Sequence, residues 1–216
     1  MSQPTTHPVT QIADAALLTP IDFYFDFSSP YAYLASEQID ALGARFGRQV
    51  NWHPMLLGAA FKATGAVLPV RQPLKSDYFL RDFARSARFH AVPFVQPMNF
   101  PVSTQHAARA FLWLDQRDSL AAKSFAHAIF RAYFTAGRDI DSIDTVLDIA
   151  ASLGNARAPL AEALGGTGLK DWLRTEVDRA LARGVFGSPF FIVDNESFWG
   201  ADRLPQLERW LSEGGF

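Results

Sequence analysis

A serine stands where a predicted strand runs directly into a predicted helix. Residues 23–35 read FYFDFSSPYAYLA, so Ser29 is followed by Pro30 and then by an apolar, helix-forming run. The first backbone N–H groups of a helix have no partner within the helix, and together with the helix dipole they attract negative charge. A hydroxyl at this corner can therefore donate to a bound anion. The same Ser-Pro pair is also an ordinary helix start, in which the serine only caps the helix.

A second Ser-Pro pair, Ser188-Pro189, stands immediately before another apolar strand pattern. An X-Pro bond has a prior of about 5% for the cis form, and a plain turn before a strand is the alternative interpretation. Near the C-terminus, Asp202 and Arg203 open a short amphipathic helix, where Asp is a common cap and Arg a common surface charge. Lys75 lies in another helical pattern, where a lone lysine is most often only solvated.

The elements that carry these residues follow the order β-α-β, a long helical block, and β-β-α. Period-two and helical patterns predict strands at 21–27, 49–55, 190–194 and 196–200, and helices at 30–46 and 201–211. The first two strands are predicted to be parallel, because a helix connects them by a crossover. Residues 57–182 carry mostly helical patterns separated by Pro- or Gly-bearing breaks.

With Ser-Pro pairs at two strand ends, this order resembles the thioredoxin superfamily with a helical insertion. Ser29-Pro30-Tyr31-Ala32 occupies the place of a Cys-Pro-x-Cys motif, and VFGSPF at 185–190 resembles the loop that carries the superfamily's cis-proline. The FYFDFSSPYAYLA opening, WGADRL at 199–204 and Lys75 in PLKSDYFLRD are similar to one branch, the kappa-class glutathione transferases and the bacterial 2-hydroxychromene-2-carboxylate isomerases. The resemblance spans residues 21–212.

The resemblance implies an α/β fold in which a thioredoxin-like fold is interrupted by an all-helical inserted domain. The expected divisions are a disordered N-terminal tail at 1–19, a thioredoxin-like domain at 20–56 and 183–214, and a helical inserted domain at 57–182. The first twenty residues lack the basic region of a secretory signal, and no apolar run approaches the ~20 residues that a membrane span requires. We therefore expect a cytoplasmic protein with no membrane partner.

Glutathione is the cofactor that the resemblance implies. The chain contains no cysteine, so it has no thiol of its own and dithiol oxidoreductase chemistry is excluded. A thiol with a pKa of about 8.5 is only a few per cent thiolate at neutral pH, so an enzyme that uses it must favour the anion. The helix N-terminus at Ser29 supplies that preference, and the resemblance makes Ser29 the catalytic residue that holds the sulfur.

The same resemblance assigns five cofactor-binding residues. The backbone of Ser188, ahead of a cis-Pro189, would pair with the cysteinyl unit of glutathione. Asp202 and Arg203 would hold its γ-glutamyl end, and Lys75 would face its glycyl carboxylate.

The implied reaction is the isomerisation of 2-hydroxychromene-2-carboxylate to trans-o-hydroxybenzylidenepyruvate, a step of naphthalene degradation, through reversible addition of glutathione thiolate. Two alternatives remain: a kappa-like transferase, which would consume glutathione, and a non-catalytic thioredoxin-like binding protein, which would show no saturable glutathione site. One departure bears on this choice. Ala66 stands where the family commonly has an Asn, and alanine cannot form that residue's hydrogen bond to ligand or substrate.

Other classes of function find no support in the sequence. The net charge of −2 lacks the basic excess of a nucleic-acid-binding surface. His53, His90, His106 and His127 show neither HExxH nor another paired ligand spacing, so no metal site is expected. The expected partners are a small aromatic substrate and, by resemblance, a second copy of the chain in a homodimer.

Overall fold

A computed structural model describes residues 18–216, so the predicted tail at 1–19 falls almost wholly outside the described residues and stays a prediction. The strands are β1 (Ile21–Phe25), β2 (Val50–Pro54), β3 (Phe190–Val193) and β4 (Glu196–Trp199). The helices are α1 (Pro30–Arg45), α2 (Leu57–Thr64), α3 (Lys75–Phe89), α4 (Gln105–Asp115), α5 (Ser119–Phe134), α6 (Ile143–Ser152), α7 (Arg157–Gly165), α8 (Gly168–Ala182) and α9 (Leu204–Glu213). Short 3-10 turns lie at Pro69–Arg71 and Ala201–Arg203.

The four strands form one sheet in the order β2-β1-β3-β4. Strands β1 and β2 are parallel, as the sequence predicts, and the β1–β3 and β3–β4 pairs are antiparallel. Phe23 lies opposite Trp52 on one side and Phe191 on the other, with ring centroids 5.0 and 5.3 Å away. Asp194 and Asn195 join β3 to β4 with φ angles of 51° and 65°, the left-handed conformation that tight hairpin turns require.

The largest hydrophobic cluster is shared by the sheet and the inserted helices. Phe25 on β1 contacts Phe111 on α4 and Phe130 on α5, with ring centroids 5.2 and 5.8 Å apart. All three side chains are fully buried. The helices between β2 and β3 therefore pack directly on the sheet, and the division of the chain into two domains at 57 and 183 stays a prediction.

Two local predictions differ from the structure. Strand β1 ends at Phe25 rather than at residue 27, because the next backbone N–H, that of Asp26, donates to the Ser188 hydroxyl at 2.8 Å instead of to a neighbouring strand. The prediction that Asp202 caps the last helix is wrong. Asp202 lies in the preceding 3-10 turn and accepts a hydrogen bond from Arg203 at 3.0 Å, and α9 begins after Arg203 without a side-chain cap.

Within residues 18–216, none of the helices combines the length and the apolar character that crossing a membrane demands.

Candidate active site

Ser29 lies buried at the N-terminus of α1, with 4% of its surface exposed. Its Oγ accepts a hydrogen bond from the Ala32 N–H at 3.1 Å, which is the capping contact that the sequence predicts. The same Oγ donates to the carbonyl oxygen of Ser188 at 2.9 Å. The hydroxyl oxygen thus caps the helix as an acceptor. Its one proton is donated to a backbone carbonyl, and rotation of the hydroxyl could redirect this proton to another acceptor.

The loop before β3 brings the second Ser-Pro pair against this corner. The Ser188–Pro189 peptide bond is cis, as the resemblance implies. The Ser188 hydroxyl accepts from the Asp26 N–H, and the Pro189 carbonyl accepts from the Gly200 N–H at 3.0 Å. The cis-proline loop is therefore tied to the end of β1 on one side and to the end of β4 on the other.

Asp26 is a site residue that the sequence reasoning missed. Its Oδ1 accepts from the Ser28 N–H at 2.8 Å and from the Thr104 hydroxyl at 3.0 Å, and its Oδ2 accepts from the Leu57 N–H at 2.7 Å. One buried carboxylate thus joins the end of β1, the start of α2 and the start of α4 beneath the Ser29 corner. Burial raises the pKa of Asp26, although the three donated hydrogen bonds oppose the rise. An acidic residue within the otherwise apolar FYFDF segment was the available signal.

Tyr31 lies in the first turn of α1, two residues after Ser29, and links this helix to α3. Its hydroxyl donates to Asp82, which also accepts from Arg85, and its ring packs edge-on against Phe83 with centroids 5.1 Å apart. Burial, followed by the neighbouring Asp82 carboxylate, raises the pKa of Tyr31 far above its ordinary range. The phenol is therefore a neutral donor at neutral pH, and it fixes the position of α3 relative to Ser29.

The remaining predicted residues, Asp202, Arg203 and Lys75, lie on the surface. The 3-10 turn that carries Asp202 and Arg203 contacts α1, and the negative charge of Asp202 contributes to the raised pKa of Tyr31. Lys75 is exposed at the first residue of α3, and it has no ion-pair partner within the described part of the chain. The structure thus brings Ser29 into direct contact with Ser188, next to Pro189, and sets Asp202 and Arg203 on a turn beside α1. Within residues 18–216, Lys75 forms no side-chain hydrogen bond or ion pair with the other five predicted site residues.

Two exposed aromatic side chains flank the cis-proline loop. Trp199 is 55% exposed and Phe186 is 42% exposed, and their ring centroids lie 4.9 Å apart. Gly187 lies directly under the indole, because a Cβ at this position would overlap Trp199 Nε1. Phe190 and Phe191 on the neighbouring strand β3 are buried, so packing and not residue type decides that Trp199 and Phe186 are exposed.

The described residues contain no group of three or more His, Cys, Asp or Glu side chains placed to hold a metal ion. The groups present at the Ser29 corner are a helix N-terminus, a buried hydroxyl, and a loop whose backbone can pair with an extended ligand.

Comparison with known proteins gives matches over nearly the whole chain. The family model described as a DSBA-like thioredoxin domain matches residues 20–212. A 2-hydroxychromene-2-carboxylate isomerase of Sphingobium xenophagum is 31% identical over 193 residues, covering 88% of this chain and 97% of the relative. Glutathione S-transferase kappa 2 of Caenorhabditis elegans is 24% identical, covering 89% of this chain and 92% of the relative. A solved structure of 2-hydroxychromene-2-carboxylate isomerase has a TM-score of 0.80 at 27% identity, covering 89% of this chain and 94% of the other.

Proposed function

The chain belongs to the family of DSBA-like thioredoxin domains, in the branch of the 2-hydroxychromene-2-carboxylate isomerases and kappa-class glutathione transferases, and from this premise we propose that it is a glutathione-dependent isomerase. The α/β thioredoxin-like fold with a helical insertion is confirmed by the same matches. The proposed substrate is an aromatic carboxylate of the 2-hydroxychromene-2-carboxylate type. The observation that carries the proposal is the contact of the buried Ser29 hydroxyl with the cis-proline loop, at the N-terminus of α1.

The residues of this corner fit a thiolate. The first N–H groups of α1 and the dipole of this 16-residue helix favour a negative charge in front of Ser29. By rotating from the Ser188 carbonyl, the Ser29 hydroxyl would donate its proton to the sulfur while its oxygen still caps the helix. Each pKa unit by which the thiol is lowered corresponds to about 1.4 kcal/mol of preference for the anion. Glutathione, when bound, supplies the sulfur nucleophile that adds to the substrate and leaves again without being consumed.

The peptide portion of glutathione would be held by the residues around the corner. The backbone of Ser188 would pair with the cysteinyl unit, as an added strand pairs with a sheet edge. The Asp202 carboxylate would face the α-ammonium group, Arg203 would lie beside it, and Lys75 would face the glycyl carboxylate. The Asp202–Arg203 pair is exposed and therefore weak, so it can open to accept a ligand at small cost.

The exposed pair of Phe186 and Trp199 supports an aromatic substrate. These rings lie beside the loop that contacts Ser29, where a substrate ring could pack on them in an offset or edge-to-face arrangement. Such contacts would hold the substrate in a fixed orientation beside the sulfur that glutathione supplies.

A kappa-like transferase is the second candidate, and Ala66 is the departure from the family pattern that bears on the substrate half of the site. This exposed residue follows α2 and cannot donate or accept the side-chain hydrogen bond of the family's Asn. The two activities differ in stoichiometry. A transferase consumes one glutathione per turnover, whereas an isomerase leaves the concentration of free thiol unchanged. We also propose that the chain acts as a homodimer, which the molar mass in solution would test.

Calorimetric titration with reduced glutathione tests the proposal directly. We expect saturable binding with a Kd of about 1 mM or tighter, equivalent to about −4 kcal/mol or better. The Ser29→Ala variant should still bind but should form the thiolate, measured by its ultraviolet absorbance, only at higher pH. Ser36→Ala is the matched control, since Ser36 is equally buried on α1 but donates only to the Tyr33 carbonyl. If wild-type protein shows no saturable binding, Ser29 is only a cap and the chain is a binding module of another kind.

A further inference from the structure

A pocket lies between α2, α4 and α8, and neither Phe186 nor Trp199 lines it. Its volume is about 280 Å³. The residues that line it are Leu56, Ala59, Gln105, Arg109, Lys170, Leu173, Arg174, Val177 and Asp178. None of them is used by the reaction proposed above.

Arg109 is the buried cation of this pocket, with 4% of its surface exposed. Its Nε donates to the Gln105 carbonyl at 3.0 Å, and Nη2 lies 3.4 Å from His106 Nδ1. Its Nη1 is buried, and no atom of residues 18–216 accepts a hydrogen bond from it. A buried guanidinium without a carboxylate partner is costly, because the charge has lost its water and gained no counter-charge. Arg109 thus lines the pocket and also has an unused, enclosed donor.

The electrostatic surroundings of Arg109 suit an anion. Lys170 and Arg174 are spaced four residues apart on α8, so they project from one face of that helix. Arg174 is paired only with the exposed Asp171, at 3.0 Å, and Asp178 is the carboxylate among the lining residues. The lining residues include three cations and one carboxylate, and Asp171 compensates one of the cations, so one positive charge remains in excess.

The rest of the lining is apolar. Leu173 and Val177 on α8 belong to a buried cluster against which Leu56 and Ala59 pack from the side of α2. A bare inorganic anion would make no apolar contact with the parts of these side chains that line the pocket. A ligand that carries both an apolar ring and one negative group would satisfy the apolar lining and the unused donor together, and the small volume limits it to one or two rings.

We propose that the pocket between α2, α4 and α8 binds a small aromatic carboxylate, with Arg109 donating to the carboxylate from its Nη1 and with Lys170 and Arg174 at the mouth of the site. The guanidinium geometry matches a carboxylate, which can accept from Nη1 in the plane of the fork. This assignment depends only on the pocket and does not require the isomerase reaction.

The pocket is linked to the Ser29 corner by hydrogen bonds to Asp26 from residues that adjoin the pocket. Thr104, which directly precedes the pocket residue Gln105, donates to Asp26, and so does the N–H of Leu57, which directly follows the pocket residue Leu56. An aromatic carboxylate in this pocket could therefore be the substrate itself or a separate effector. The chemistry of recognition is the same in both cases.

The test is an amide NMR titration of the full chain with sodium benzoate, compared with benzyl alcohol as the neutral analogue and with sodium phosphate as the anion without a ring. We expect saturable shifts at residues 56–59, 105–109 and 170–177 with benzoate, and much weaker ones with the two other probes. Arg109→Met should weaken benzoate binding at least tenfold, and Lys170→Ala combined with Arg174→Ala should weaken it about three- to tenfold, as expected for exposed charges that contribute less than a buried one.

Arg179→Met is the matched control, because Arg179 is an exposed arginine of the same helix that pairs with Glu176 outside the pocket. It should bind benzoate as the wild type does. Unaltered benzoate affinity in Arg109→Met, or equal shifts with benzyl alcohol, would overturn the proposal. If Arg109→Met does not fold, the Lys170/Arg174 double variant decides, and equal affinity there would also overturn it.

A second experiment distinguishes whether the pocket binds the carboxylate of the substrate or that of a separate effector. Benzoate is added during turnover of the aromatic substrate in the presence of glutathione. Competitive inhibition against that substrate identifies the pocket as the substrate-carboxylate site, whereas a change in kcat at unchanged KM identifies a separate effector site. Both results presuppose the binding measured above, and that binding can be measured even if the protein proves to have no isomerase activity.

Discussion

The Ser29 hydroxyl donates to the backbone carbonyl of Ser188 at 2.9 Å, a contact between residues 159 positions apart in the chain. It joins the N-terminus of α1 to the cis-proline loop, so the two halves of the proposed glutathione site are held together before any ligand binds. The same oxygen accepts from the Ala32 N–H and caps α1. The capping role and the proposed catalytic role are thus compatible in one side chain.

Replacing Ser29 by alanine should lower stability as well as change the thiolate pH profile. The substitution removes the cap, which costs about 1 kcal/mol, and leaves the Ser188 carbonyl without its donor, which costs about 1–3 kcal/mol. We expect the free energy of unfolding in urea to fall by about 2–4 kcal/mol in total. Ser36→Ala, which removes a hydroxyl bonded within its own helix, should cost less. Equal losses in the two variants would contradict the bridging role of Ser29.

The loss of stability in Asp26 variants should increase with the number of hydrogen-bond donors that each substitution leaves unpaired. Asparagine keeps an oxygen for the Ser28 N–H and the Thr104 hydroxyl but sets its NH₂ group against the Leu57 N–H. Alanine leaves all three donors unpaired. At about 1–3 kcal/mol for each buried donor, Asp26→Ala should lose considerably more stability than Asp26→Asn.

Urea unfolding of both Asp26 variants at neutral pH provides the measurement. If Asp26→Asn is destabilised as much as Asp26→Ala or more, the three hydrogen bonds to the Asp26 carboxylate do not stabilise the fold as proposed.

The carboxylate of Asp22 should make the protein sensitive to acid. Burial tends to raise its pKa, but hydrogen bonds from His53 and Arg183 outweigh burial and lower it from 3.8 to about 2. A lowered pKa in the folded state stabilises the fold at pH values above 3.8, and this stabilisation is lost as the pH falls from 3.8 through about 2.

The stability of Asp22→Asn should therefore fall less steeply than that of the wild type between pH 4 and pH 2, as followed by urea midpoints. Asp144→Asn is the control, since Asp144 is an exposed carboxylate paired with Arg157 at the surface. If the slopes of wild type and Asp22→Asn coincide, the Asp22 contacts do not govern the acid response.

Gly187→Ala should disturb the exposed aromatic pair more than the fold. The added methyl group would overlap the Trp199 indole, which is half exposed and free to swing outward. We expect a raised KM for an aromatic substrate, a changed tryptophan emission and a loss of less than about 1.5 kcal/mol in stability, because the displaced ring lies at the surface. Gly58→Ala is the control, since nothing lies within 4 Å of its added Cβ, and alanine should stabilise α2 by about 0.5–1 kcal/mol. An unchanged KM in Gly187→Ala would remove Trp199 from the substrate site.

Local sequence patterns alone determine several features of this protein. The parallel pairing of β1 and β2, the Asp194–Asn195 hairpin and the capping contact of Ser29 all follow from residues close together in the chain, because strand periodicity, turn chemistry and helix capping are local effects. The resemblance added the cis peptide bond at Pro189, through the two Ser-Pro pairs, and the family, through the FYFDFSSPYAYLA opening, the WGADRL segment and Lys75.

The tertiary structure decided which side chains meet across long stretches of sequence. Asp26 receives hydrogen bonds from Leu57 and Thr104, Trp199 is held at the surface above Gly187, and Arg109 is buried at a pocket wall with an unused donor. No local pattern predicts these contacts, since burial and partnership depend on how distant elements pack. Composition and motifs establish that an acidic, aromatic or basic residue is present, whereas only the packing of β1, α4 and α8 establishes whether its charge or ring is paired, exposed or left for a ligand.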